Sequence, residues 1–102
     1  MMRVILERGS RMKPSEFVAK GWCQKVFAKS RDGWSTHADS PDAIKWCLVG
    51  ALTAAYPEAN EERSLLTYKL IDKLNGLGFA AWNDDPKRTQ AEVVALLQSI
   101  GE

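Results

Sequence analysis

Residues Ser40 to Tyr56, SPDAIKWCLVGALTAAY, constrain this chain more than any other stretch. Ile44, Cys47, Leu48, Ala51, Leu52 and Ala55 recur at the three- and four-residue steps of an α-helical stripe. Trp46 and Val49 lie off that stripe, so a helix here is apolar around most of its circumference and must be covered on several sides. Ser40 offers a capping hydroxyl, and Pro41 suits a first helical position that needs no amide. Tyr56-Pro57 marks the stop, so the expected helix runs from Ser40 to Tyr56. Gly50 in its middle costs about 1 kcal/mol against alanine. That cost predicts another backbone, or an indole, packed directly over it.

The flanking segments read as its coverings. Met2 to Met12 predicts a short helix with Ile5, Leu6 and Met12 inward, ended by Lys13-Pro14 because a residue before proline is pushed out of the α region. Pro14 to Gly21 reads as irregular. From Trp22 the period changes to two, with aromatic and β-branched residues frequent, and Asp32-Gly33 is a tight-turn signal. A hairpin from Trp22 to Thr36 follows, marginal alone and therefore packed on helices. Asn60-Glu61-Glu62 starts the next helix, Leu66, Leu70, Ile71 and Leu74 form its stripe, and Asn75-Gly76 stops it. Leu77 to Asp85 reads as a turn anchored by Phe79 and Trp82. Thr89 and Glu92 form a capping box for a last helix carrying Val93, Leu96, Leu97 and Ile100. The expected fold is mainly α: three or four helices around the central one, with one β-hairpin packed on it, in a single domain spanning residues 1–102.

Charge and cysteine content narrow the function classes. The formal net charge of +1 gives no overall pull toward nucleic acid or an anionic membrane. The basic residues, Arg3, Arg8, Arg11, Lys20, Lys25, Lys29 and Arg31 among them, cluster in the first half, a split that reads as two solvated faces more readily than as a binding patch. Cys23, Cys47 and the lone His37 are too few soft ligands for a structural zinc site. No run approaches the roughly 18 apolar residues of a membrane span, and no secretory leader is evident. The expectation is a cytoplasmic protein with reduced thiols, no metal and no cofactor.

Three motifs carry a resemblance. Gly21-Trp22-Cys23-Gln24, then Trp46-Cys47-Leu48-Val49-Gly50-Ala51-Leu52, then Trp82-Asn83-Asp84 followed by Arg88-Thr89 and Glu92-Val93 resemble, in order and spacing, a family of small uncharacterised bacterial and phage proteins. Its members carry a Trp-Thr-Gln-Gly segment, a Trp-Cys-x-x-Gly-Ala-Leu helix and a Trp-Asn-Asp-x-x-x-Arg-Thr segment. This chain has Cys23 where threonine is usual and Lys25 where glycine is usual. The resemblance spans about Ile5 to Ile100 and implies no activity.

No catalytic constellation stands out, so the first reading is a non-enzymatic module that binds an unknown protein or small ligand. Its candidate binding residues are Trp34, at a hairpin tip flanked by Gly33 and Ser35, with Trp82, Asn83, Asp84 and Gln24. A phage or mobile-element accessory role acting on a host system fits the size and the resemblance. The second reading is a small enzyme using Asp84, His37 or a thiol in a pocket near the Trp-Asn-Asp turn. The third, nucleic-acid binding through the basic half, is disfavoured by the net charge.

Overall fold

The computed structural model describes residues 12–58 and 60–102. Its elements in chain order are α1 (Pro14–Lys20), β1 (Ala28–Ser30), β2 (Ser35–Thr36), β3 (Ala43–Trp46), α2 (Leu48–Ala55), α3 (Glu61–Lys73), α4 (Phe79–Asn83) and α5 (Gln90–Ser99). The helix expected over Met2 to Met12 lies, Met12 apart, outside the described residues.

The expectation of a mainly α domain with a single hairpin is overturned. The chain is mixed α and β, with a three-stranded antiparallel sheet in the order β2–β1–β3. The discrepancy comes from Ser40 to Tyr56, which breaks at Cys47 into strand β3 and helix α2. Ser40 caps a turn instead of a helix: its Oγ accepts the Asp42 amide at 3.1 Å, and its carbonyl accepts the Ala43 amide at 3.1 Å. From Ala43 the backbone finds partners on both sides. It pairs with β1, and the Trp46 amide donates to the Gly21 carbonyl at 3.0 Å. A short apolar run is compatible with a buried strand or a buried helix, and non-local pairing decided this one. Cys47 then caps α2, its Sγ accepting the Gly50 amide at 3.3 Å. Ile44, placed inward by the helical reading, is 38% exposed on the strand.

The hairpin is shorter than expected but turns where its sequence says. Asp32-Gly33 makes the reversal, Gly33 taking the positive φ of 87° and the Ser30 amide bonding the Trp34 carbonyl at 2.8 Å. Residues 22–27 do not form its first strand. Gly21 to Cys23 lies on the far side of β3, joined by a parallel Trp22–Trp46 bridge, and the chain then loops through Lys25 at φ 74° to reach β1. A side chain at Gly21 would overlap the Ile44 carbonyl, so only glycine admits this close approach.

One face of the sheet is buried and one is open. Ala28, Ala43 and Trp46 face Val18 of α1 and the α2 residues Leu48, Ala51 and Leu52. Lys29 and Lys45, directly opposed in register, point outward. Phe17 meets Trp46 edge-on with ring centroids 5.0 Å apart. The segment Pro14 to Gly21, expected to be irregular, is helical as far as Lys20: Pro14 takes the first helical position, and the Lys13 amide is capped by Glu16 at 2.6 Å. Val93 and Leu97 of α5 and Leu66, Leu70 and Leu74 of the α3 region complete the core. Three local signals hold: Asn60 caps α3, Asn75 and Gly76 take the left-handed conformations that stop it, and Thr89 with Glu92 boxes α5. Ile71, expected in the stripe, is 43% exposed.

Candidate functional site

Asn83 is the hub of the molecule. It closes α4 and is 1% exposed, an interior position a primary amide tolerates only when its polar atoms are bonded. All are. Oδ1 accepts the Trp22 indole N–H at 2.9 Å and the Leu48 amide at 3.1 Å, and Nδ2 donates to the Cys23 carbonyl at 3.2 Å and to Asp84 Oδ1 at 3.0 Å. One side chain thereby ties the 21–23 segment, the first turn of α2 and its own helix together. Around it, Gln24 Nε2 donates to the carbonyls of Asn83 and Asp85, both at 2.9 Å, and Asp84 Oδ1 accepts the Lys25 amide at 2.8 Å. Trp82 is held from its other side: the Arg88 guanidinium lies 3.9 Å over its ring and donates Nε to its carbonyl at 2.9 Å. Arg88 also pairs with Asp85 and Glu92, which fixes the start of α5.

This scaffold forms one wall of a groove of about 590 Å³. Its apolar surface comes from Val26, Phe27, Val49, Phe79 and Ala80, and its polar groups from Lys25, Ser35, Thr36, His37, Cys47, Asn83 and Asp84. Phe27, in the bend just before β1, is 62% exposed, an unusual amount of aromatic surface to leave in solvent. Gly50 explains how Phe27 is presented. A Cβ there would overlap the Phe27 carbonyl, so the bare glycine lets the strand cross the first turn of α2, and the carbonyl accepts the Cys47 amide at 3.0 Å. A backbone packed over Gly50 is one of the two coverings expected from the sequence.

The groove brings His37, Cys47 and Asp84 together but does not connect them as catalytic groups. Among the described residues the His37 ring has no hydrogen-bond partner, and Asp84 Oδ1 is engaged by the Lys25 amide and by Asn83. Burial pushes the Cys47 thiol up from its ordinary value, against the pull of the Gly50 and Val49 amides. Burial likewise lifts Cys23 to about 11, helped by neighbouring Cys47 and opposed by Lys29 and Lys45. Both cysteines are free. Among the described residues no group of three His, Cys, Asp or Glu side chains is arranged to hold a metal, and no helix is long and apolar enough to cross a membrane.

The candidate binding residues separate into three environments. Trp34 stands at the hairpin tip, 76% exposed, next to the groove residues Ser35 and Thr36 but outside the groove wall. Asn83 and Asp84 line the groove while the Asn83 amide and Asp84 Oδ1 are committed to the scaffold. Gln24 and half-buried Trp82 support the wall from behind. Of the basic residues, Lys25 lines the groove and Lys29 lies on the outer sheet face, while Arg3, Arg8 and Arg11 fall outside the described residues. Sequence reasoning missed Val26, Phe27, Val49 and Phe79 as groove residues. Their only signal was position: Phe27 and Val26 flank the Lys25 loop, and Val49 lies off the apolar stripe.

Compared with known proteins, residues 16–101 match the family described as a family of unknown function, DUF6197. No curated protein matches, and no solved structure matches.

Proposed function

We propose, for a chain that belongs to the DUF6197 family of unknown function, a non-enzymatic binding module whose ligand lies in the groove between β2, the Lys25–Phe27 loop and α4. The observation that carries this reading is the exposed Phe27 lining, together with Val49 and Phe79, a cavity of about 590 Å³, within the roughly 300–1,000 Å³ of sites that hold small ligands. Apolar walls supply affinity, and Lys25, Ser35, Thr36 and His37 supply orientation on one side. The polar motif of the chain then has a positioning role: Asn83, Trp22, Gln24 and Asp84 hold the wall rigid so that little ordering is left for binding. A non-enzymatic reading is supported by the raised thiols and by an imidazole with no hydrogen-bonded acid among the described residues. Two unpaired cysteines support a reducing, cytoplasmic setting. Small size and the resemblance to small bacterial and phage proteins support an accessory role, in which the groove engages a component of the host cell.

The test uses 8-anilinonaphthalene-1-sulfonate, an aromatic anion, as the probe. Titrated against isotopically labelled protein, it is expected to shift the amides of Phe27, His37, Val49 and Phe79 at sub-millimolar to millimolar concentration, equivalent to about 4–6 kcal/mol. Ala80→Phe, which fills the groove from an exposed position on α4, is expected to abolish those shifts with the fold intact. Shifts confined to the α3 surface around Leu65 and Tyr68, which is also exposed and apolar, overturn the placement.

A further inference from the structure

Cys23 and Cys47, far apart in sequence, are neighbours in space. The Trp22–Trp46 bridge is parallel, held by the Trp46 amide on the Gly21 carbonyl at 3.0 Å and the Cys23 amide on the Trp46 carbonyl at 3.3 Å. Residues 23 and 47 are therefore the next pair in that register. Paired strands run about 4.8 Å apart, inside the roughly 4.4–6.8 Å Cα separation that a disulfide spans. Side chains alternate along a strand, so Trp22 and Trp46 share one side and the two cysteines share the other. Lys29 and Lys45, opposed in register on the outer side of β1 and β3, both bear electrostatically on Cys23, while the two cysteines themselves are buried. The Cys47 thiol also bears on Cys23, and each cysteine retains slight exposure, 6% for Cys23 and 8% for Cys47.

We propose that Cys23 and Cys47 are an oxidisable pair that closes into an intramolecular disulfide, stapling the Gly21-to-Cys23 segment to the end of β3. With hydrogen peroxide as the oxidant, the thiolate of one cysteine attacks a peroxide oxygen. The O–O bond breaks, hydroxide leaves, and that sulfur becomes a sulfenic acid. The second thiol displaces its hydroxyl, the S–S bond forms and water departs. Two thiols and one peroxide give one disulfide and two waters, with two electrons passing from sulfur to oxygen.

Closure reaches the groove because both sulfurs have other duties. Cys47 Sγ accepts the Gly50 amide at 3.3 Å as the cap of α2, and turning toward Cys23 gives that bond up. Cys23 Sγ lies 3.5 Å from the Val26 carbonyl and anchors the loop that carries Lys25 and Val26 into the groove. The disulfide form therefore has an uncapped first turn of α2 and a re-seated loop, both at the wall where Val26, Cys47 and Val49 meet. Lys29 and Lys45 favour the Cys23 thiolate, while burial disfavours it and lifts the thiol to about 11, so with Cys23 attacking, closure is slow near neutral pH and quickens about tenfold per pH unit toward about pH 11.

The test treats the native protein with hydrogen peroxide and follows intact mass and tryptic peptides. The expected product is a monomer lighter by two hydrogens, with the peptide spanning 21–25 linked to that spanning 46–63 and both released by dithiothreitol. Cys23→Ser, whose hydroxyl still reaches the Val26 carbonyl, is expected to fold and to lose the linked product. Three outcomes overturn the proposal. They are gain of oxygens at either sulfur without loss of hydrogens, a disulfide-linked dimer, and native thiols that stay reduced where the urea-unfolded chain cross-links.

Discussion

Replacing Asn83 by alanine removes the one side chain that joins three segments, and the structure says what is left behind. The Leu48 amide and the Cys23 carbonyl lie in the interior and lose their partners, and the Trp22 indole N–H, half-buried, loses its own. A buried polar group left unpaired costs about 1–3 kcal/mol, so the two interior groups alone predict a loss of about 2–6 kcal/mol, before any contribution from Trp22. Against the roughly 5–15 kcal/mol that stabilises a small domain, this is a large fraction. Urea unfolding followed by tryptophan fluorescence measures it, with an unchanged slope showing that the two-state comparison holds. Asn83→Asp refines the test. It keeps the acceptor for Trp22 and Leu48 but sets a carboxylate against Asp84 Oδ1 and the Cys23 carbonyl, so it is expected to be as damaging at neutral pH. Its stability should partly return as pH falls and the new carboxyl takes up a proton that can be donated. A loss below about 1 kcal/mol for Asn83→Ala, at unchanged slope, would refute the hub argument, because it would mean that the orphaned groups find other partners at no cost.

Further expectations concern the joints of the fold. Gly50→Ala gains up to about 1 kcal/mol of helix propensity but drives a methyl into the Phe27 carbonyl; backbone overlap is expected to win, lowering stability by about 1–3 kcal/mol in thermal melts. Thr89→Ala removes the cap of α5 and is expected to cost about 1 kcal/mol, a drop of roughly 4 °C in Tm. The folded Cys23 thiol titrates above its unfolded value, so its stabilisation is complete below about pH 9 and is lost as pH rises toward about 11. The urea midpoint should fall across that window in the wild type and fall less in Cys23→Ser.

What could be read from the chain was what local chemistry decides. Asn60, the Asn75-Gly76 pair and Thr89 with Glu92 each act through backbone groups within four residues, and each does in the structure what its position implied. Ser40 to Tyr56 carried helical spacing just as plainly, yet Ala43–Trp46 is a strand because Ala28–Ser30 and Gly21 offer hydrogen bonds from either side. Nothing within the stretch records those partners. Pro14 misled in the same way: it was read as the end of one element and is the first residue of another. The candidate site shows the complementary limit. Asn83 was legible as a functional polar residue, but whether its amide faces inward depended on Trp22, Cys23 and Leu48 converging from distant positions. Trp34, beside a glycine at a turn, was exposed as expected because a hairpin tip has little to pack against.

The docking of α1 sets an order on biosynthesis. Ser15 bonds the Glu102 carbonyl through both its amide and its hydroxyl, at 3.0 and 2.7 Å, and Gln90 donates to the Val18 carbonyl at 2.7 Å. Synthesis at about 5–20 residues per second separates Lys20 from Glu102 by roughly 4–16 s. For that interval a helix too short to persist alone leaves the ribosome with Val18 and Phe17 uncovered. The sheet and α2 are translated in between and offer it one side; the other arrives only with α5. Docking of α1 is therefore completed only once Glu102 has left the ribosome, and removal of residues 100–102 is expected to unseat a helix some eighty positions upstream while leaving the local caps of α3 and the hairpin turn intact.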